Sequence, residues 1–300
     1  MLRGAGHQFS TDKIMPRNLK NKMRNAIITI LINSIPLNIR KFIAIWIGKQ
    51  NWITQSRRYS WPQKLTKDMK LKNVNEYHKF LWENHLAYAV TYSAKSRYGY
   101  ENIKKSRKFL FEEVDKVFQK TSINREKDIY SVLEVGCSLG YLLRYMEEYF
   151  FPSAKVLMGI DIDEQAISEG INYLKETGSI IELKECDMET LHKELNGKKF
   201  DVVFCLGVLM YLQEDNARKV ISYMLINTKK LLILSGLANP GFDNQELEKS
   251  TIRTSDETFI HNFDEMIKNE GGNIIYRRRE GDKLVDKNTI YFVFAKPEST

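Results

Sequence analysis

SVLEVGCSLGY, residues 131–141, decides the fold. Val132-Leu133-Glu134-Val135 is a short, β-branched, apolar run of the kind that forms a buried parallel strand. It runs into Gly136-Cys137-Ser138-Leu139-Gly140, a tight turn of small residues, and then into Tyr141–Met146, which reads as a helix. A strand, a Gly-x-x-x-Gly turn and a helix N-terminus aim backbone N–H groups into a pocket at the strand's carboxyl end. Gly136 can take backbone angles closed to other residues, and Gly140 lets the helix approach the sheet. Such a turn is weak evidence alone, and three downstream elements repeat its geometry.

Lys155–Ile162 is a second buried strand that carries Asp161 at its end, 25 residues beyond Gly136. An acidic residue about there accepts ribose hydroxyls in nucleotide-binding βαβ units. Ile180–Cys186 reads as a third strand ending in Asp187, and Phe200–Leu206 as a fourth ending in Gly207. Glu214–Ile226 is an amphipathic helix before a fifth strand, Lys229–Gly236, and Asp256–Asn269 is a further helix stopped by Gly271-Gly272. Asn273–Arg277 and Thr289–Ala295 are two final strands. The polar loop between them, Glu280–Asn288, is too short for a crossover helix, so the pair is antiparallel.

LEVGCSLG, GID, CDME and FDVVFCLGVLMYL, in this order, resemble the class I S-adenosylmethionine-dependent methyltransferases over about Ile129–Lys296. The resemblance implies an α/β fold: a Rossmann-like, seven-stranded, mostly parallel sheet whose last strand is antiparallel, here with a helical N-terminal extension. Ser138 stands where the family usually has a second glycine. A nicotinamide-binding G-x-G-x-x-G is absent. The resemblance implies S-adenosyl-L-methionine as cofactor, held by Glu134, Gly136, Cys137, Ser138, Gly140, Asp161, Ile162, Asp187, Met188 and Leu206. In that reading Glu134 orients the turn or meets the methionine ammonium, Asp161 takes the ribose, Asp187 the adenine amino group, and Leu206 passes the methionine moiety. Each acid taken singly also reads as an ion pair or an N-cap.

Three hundred residues exceed one such core and leave about 125 ahead of the first strand. Residues 1–60 form a basic amphipathic helical arm, 61–125 a helical lid and 126–300 the methyltransferase domain. The arm holds eleven Lys and Arg against one acid, Asp12, while the whole chain is +8. Its apolar runs, Ala26–Ile32 and Phe42–Ile47, are far shorter than the ~20 residues of a membrane span. They read as helices Asn18–Ser34 and Leu37–Gly48, which either pack on the core or lie on an anionic membrane surface. Cys137, Cys186 and Cys205 have neither metal-ligand spacing nor an even count for disulfides, so a reducing, cytoplasmic setting is expected, with the arm at the membrane periphery. No metal site is expected.

Asn75–Gln119 reads as helical and aromatic-rich, with Tyr88, Tyr92, Arg97 and Tyr98 placed to lid the cofactor and Arg97 a candidate for its carboxylate. Transfer to a protonated oxygen or nitrogen calls for a general base, for which His261, His85 and Tyr211 are ranked in that order. The family's nucleic-acid branches carry an Asn/Asp-Pro-Pro-Tyr motif after strand four, where this chain has Leu206–Tyr211. The expected acceptor is therefore a small molecule or glycan, lipid-linked or free, and not a nucleic acid. The alternatives are a non-catalytic module of the same fold or a protein or RNA methyltransferase.

Overall fold

The computed structural model describes residues 28–87, 98–285 and 288–297. Nine strands occur there: β1 Ser131–Val135, β2 Val156–Asp161, β3 Glu182–Glu185, β4 Phe200–Leu206, β5 Thr228–Gly236, β6 Thr251–Ile252, β7 Phe259–Ile260, β8 Gly272–Val285 and β9 Asn288–Pro297. Seven form one sheet in the order β3-β2-β1-β4-β5-β9-β8, and β6 pairs with β7 apart from it. β1 to β5 run parallel. The last strand, β9, is inserted antiparallel between β5 and β8. This is the expected Rossmann-like sheet.

The central strands β1 and β4 are buried on both faces, and alternation sorts the sheet's side chains into two layers. Val132, Phe204, Leu231, Ile233 and Phe294 join one core, and Leu133, Val203, Leu232, Leu234 and Val293 the other. Ahead of the sheet lie α1 Leu37–Gly48, α2 Gln55–Leu65, α3 Lys67–Lys72, α4 Val74–Glu83 and α5 Lys105–Lys120; α6 Tyr141–Tyr145 and α7 Glu164–Glu176 follow the first two strands. α5 and α7 cover the first layer through Leu110, Phe111, Val114 and Ile167. α8 Leu191–Leu195, α9 Glu214–Ile226 and α10 Phe263–Asn269 cover the second.

The first four helices have a small core of their own, built from Ala44, Met69, Tyr77, Phe80, Leu81 and Leu86. Arg40 ties it together: its Nη1 and Nη2 donate to the two oxygens of Asp68 at 2.7 and 2.6 Å, and Nη1 also reaches the Leu65 carbonyl at 2.7 Å. A boundary at residue 60 therefore cuts α2 and separates Arg40 from its partner. The helical expectation for Leu37–Gly48 matches α1. Its outer face is bare: Phe42 is 71% and Trp46 49% exposed, while Ala44 and Ile47 point inward.

Three segments differ from the sequence reading. The lid helix stops at Glu83, because Asn84 and His85 leave the helix and His85 turns to φ +55°. The segment Asp256–Asn269 is helical only from Phe263; aromatic and β-branched Phe259-Ile260 pair as a strand, and Asn262 caps the helix by accepting from Glu265 N–H at 3.0 Å. β8 extends through the polar stretch to Val285, which pairs with Asn288, since a hairpin satisfies backbone groups whatever the composition. Residues 1–27, with most of the expected first helix, and 88–97, with Tyr88, Tyr92 and Arg97, lie outside the described residues.

Candidate functional site

The carboxyl ends of β1, β2, β4 and β5 open onto a cavity of about 320 Å³. Its floor is the 136–140 turn. Gly136 has φ +79°, and a Cβ there would lie 2.3 Å from Val208 Cγ2; Gly140 has φ +75°, and its Cβ would lie 2.8 Å from Leu183 Cδ2. The turn thus needs glycine at both ends for conformation and for space. Ser138, between them, also adopts a left-handed φ, +52°. Behind the turn, buried Tyr98 donates to the Leu139 carbonyl and stacks on Tyr173 at 3.9 Å. Tyr98 therefore braces the turn from outside the cavity and is not a lid.

Asp161 holds the turn from the neighbouring strand. Its Oδ2 accepts from Ser138 N–H at 2.7 Å and its Oδ1 from Asp163 N–H at 3.0 Å. Burial pushes its carboxyl up to about 6, against the pull of those backbone donors. Each oxygen keeps a lone pair for a further donor. Glu134, 3% exposed at the end of β1, is pushed up to about 8 by burial and, to a lesser extent, by Asp161, while Arg107 acts in the opposite sense. Among the described residues its Oε2 has no hydrogen-bond partner, nor has the buried Ser138 hydroxyl. An orphaned carboxylate oxygen in a cavity calls for a donor from a ligand.

Of the residues expected to hold a cofactor, Glu134, Gly136, Cys137, Ser138, Asp161, Ile162, Asp187, Met188 and Leu206 all line this one cavity. Gly140 sits behind it, against Leu183. Arg97 is among the residues not described. Tyr211 lines the cavity, but the two histidines ranked above it do not. His261 is 2% exposed; its Nε2 lies 3.0 Å from the Leu209 carbonyl and its Nδ1 2.7 Å from Ser250 Oγ. A carbonyl only accepts, so Nε2 carries the proton and Nδ1 accepts from Ser250, which leaves no nitrogen for base work. Burial lowers its pKa to about 4. His85 bonds instead through Nδ1 to Asp163 Oδ2 at 2.7 Å, joining the helical cap to the N-cap of α7.

Four residues were not singled out from the sequence. Arg107, in the first turn of α5, reaches the cavity and donates to the Leu206 carbonyl at 2.8 Å and Ser235 Oγ at 3.2 Å. Its signal was present: Arg107, Leu110, Phe111 and Val114 share one face of the helix, so this arginine alone in the basic 104–108 run lies on the apolar side. From α4, Asn75, Lys79 and Trp82 line the mouth at steps of four and three. Lys79 pairs with Asp187 at 2.5 Å, and Trp82 meets Tyr211 edge-on at 5.1 Å. Those contacts join distant segments and have no local signature.

Residues 132–230 match the model of a methyltransferase domain. That stretch, from β1 to the start of β5, thus reads as a methyltransferase domain. A stretch of 83 residues is 31% identical to malonyl-[acyl-carrier protein] O-methyltransferase of Brevibacillus brevis and amounts to 28% of this chain and 29% of that protein. The chain thus matches under a third of that curated relative's length. Among solved structures, it is similar to magnesium protoporphyrin IX methyltransferase from Synechocystis PCC 6803 with bound SAM (TM-score 0.47, 18% identity, 75% of this chain and 98% of that one). It is similar also to an S-adenosylmethionine-dependent methyltransferase from Clostridium acetobutylicum (TM-score 0.46, 13% identity, 63% and 92%). The methyltransferase cofactor is S-adenosylmethionine, and the cavity's residues suit it. Orphaned Glu134 Oε2 matches its ammonium, the guanidinium of Arg107 its carboxylate, and Asp161 its ribose hydroxyls.

Proposed function

We propose that this protein transfers the methyl group of S-adenosylmethionine to an oxygen or nitrogen of a small-molecule or glycan acceptor, while its N-terminal helices rest on an anionic membrane surface. The observation that carries the methyl-transfer reading is the cavity floor: a two-glycine turn laced to Asp161, with an unpartnered buried carboxylate beside it.

The sulfonium supplies the chemical driving force when bound, so the protein's part is alignment and exclusion of water. Glu134 and Arg107 fix the amino-acid end, and Asp161 the ribose. Asp187 and Met188 hold the base end, where Lys79 closes the mouth by pairing with Asp187. Tyr211, which lines both this cavity and its neighbour, is the candidate to take the acceptor's proton or to orient the acceptor through its hydroxyl. An aromatic mouth of Trp82 and Tyr211 suits an enclosed small acceptor more than a macromolecular surface.

Calorimetry with S-adenosylmethionine or S-adenosylhomocysteine tests the cofactor part. Asp161→Ala is expected to weaken binding about tenfold, or ~1.4 kcal/mol, through loss of charge-assisted hydrogen bonds. A folded wild-type protein that binds neither ligand refutes it. For the acceptor, labelled cofactor is supplied with metabolite, glycan and lipid extracts beside tRNA and protein; label found only in RNA or protein refutes the small-acceptor reading.

The membrane part is supported by α1, whose outer face carries Ile39, Phe42 and Trp46 exposed, with Trp52 75% exposed just beyond it. Apolar side chains beside an arm with eleven cationic residues against one acid fit an anionic interface. No helix among the described residues is long and apolar enough to cross a membrane.

A further inference from the structure

We propose that a second cavity, adjoining the cofactor site, receives the acceptor and binds a phosphate group that the acceptor carries. This inference rests on the methyl-transfer reading. The cavity, about 490 Å³, lies between helices α2 to α4 and the loop at residues 255–258. It shares two lining residues, Trp82 and Tyr211, with the cofactor cavity. Helix α4 divides the two spaces. Its Asn75 and Lys79 face the cofactor side, its Tyr77, His78 and Leu81 the second side, and Trp82 serves both. The acceptor's phosphate end thus lies in the second cavity, and its nucleophilic atom reaches the methyl past the Trp82–Tyr211 pair, whose rings are 5.1 Å apart and inclined at 65°.

The chemistry of the second cavity is distinct. Its floor is aromatic and apolar, through Tyr77, Leu81 and Trp82, and suits a ring such as a sugar face. Its rim carries Lys64, Lys67 and Lys70 at three-residue steps across the end of α2 and the start of α3, against Asp256 and Glu257 of the facing loop, of which Asp256 is held by Arg253 at 2.5 Å. Lys70 is neutralised by Glu257 at 2.6 Å, whereas Lys64 and Lys67 hold no ion pair among the described residues. Two uncompensated ammonium groups match a phosphate ester, which carries about 1.5 to 2 negative charges at pH 7. A single carboxylate would leave one of them unmatched. Ser60 and Gln63 add neutral donors beside them, and lysine binds phosphate as a mobile point charge.

The test is calorimetry on the full chain, saturated with S-adenosylhomocysteine, using inorganic pyrophosphate as the probe. Binding is expected with a Kd below about 1 mM, weakening as salt rises. The double variant Lys64→Glu/Lys67→Glu, on exposed side chains, is expected to bind pyrophosphate about tenfold more weakly, with S-adenosylhomocysteine affinity unchanged. A soluble hexose 1-phosphate and a polyprenyl phosphate in neutral vesicles form parallel arms, and lysine-dependent binding of either supports the proposal and identifies the carrier. The proposal is overturned if the protein binds S-adenosylhomocysteine but not pyrophosphate. It falls equally if S-adenosylhomocysteine displaces pyrophosphate, or if the double variant binds it like wild type. Failure to bind S-adenosylhomocysteine refutes the methyl-transfer reading instead, and lysine-dependent pyrophosphate binding still reads this site.

Discussion

At the scale of single residues, Glu134 and Ser138 are the informative positions. The Glu134 carboxyl, pushed up to about 8 by burial, is largely protonated at pH 7, yet it must be ionised to hold an ammonium. Cofactor binding therefore releases a proton, and affinity rises as pH goes from 6 to 8. Calorimetry in buffers of different ionisation enthalpy reads that proton, and Glu134→Gln removes the Glu134 part of both effects, leaving the smaller part of Asp161 near pH 6. The sign for stability is the reverse. A folded pKa above the unfolded value means the folded state binds more protons, so stability falls as pH rises from the unfolded carboxyl value of 4.5 towards 8. S-adenosylhomocysteine should raise Tm more at pH 8 than at pH 6. Ser138 sits at φ +52° with a buried, unpartnered hydroxyl. Ser138→Gly removes a left-handed strain of roughly 1–2 kcal/mol and that orphan, against a glycine entropy cost of about 0.5–1. The expected outcome is a gain of about 1 kcal/mol by chemical denaturation, with cofactor affinity retained.

At the scale of elements, two helices carry arginines whose roles differ. Arg40 on α1 is 4% exposed, and it holds Asp68 below the usual carboxylate range through their paired hydrogen bonds. Arg40→Ala strands Asp68, whose side chain is 27% exposed, and is expected to cost about 2–3 kcal/mol, less than for a fully buried pair. Among the described residues Arg107 on α5 bonds only neutral oxygens, so its charge remains available to a ligand. Arg107→Ala should weaken S-adenosylhomocysteine about tenfold with little change in Tm. The opposite pattern would make Arg107 a strut between α5, β4 and β5.

At the scale of the molecule, the four-helix cap lines the mouth of the cavity through α4 and braces the sheet domain. It touches the sheet domain through Lys79–Asp187, Lys70–Glu257 and His85–Asp163. Because the 60/61 boundary cuts α2, a 61–300 truncation is expected to lose the cap's core and lower Tm, so it cannot isolate membrane contact. Phe42→Glu/Trp46→Glu is the cleaner probe, since both side chains face solvent. Co-sedimentation with anionic vesicles should fall by about tenfold or more at unchanged Tm, and wild-type binding should weaken with salt. Equal sedimentation of variant and wild type would remove the membrane reading.

The sequence alone determined the sheet and its cofactor floor. Residues 131–140, Asp161, Asp187 and Phe200–Leu206 are local signals, in which strand, turn and strand-end acid lie within a few positions of each other. The physics behind them, backbone angles open to glycine and burial of β-branched runs, acts over short stretches of chain. Tertiary structure decided what faces the cavity. His261, first choice as base, is sealed by Leu209 and Ser250, which lie 52 and 11 residues away. Arg107 entered because α5 buries the face on which it sits. The joining of Trp82 to Tyr211 depends on how a cap packs against a sheet more than a hundred residues distant. Such contacts are fixed by the packing of whole faces, and most of their partners lie too far apart for one window of sequence to hold both.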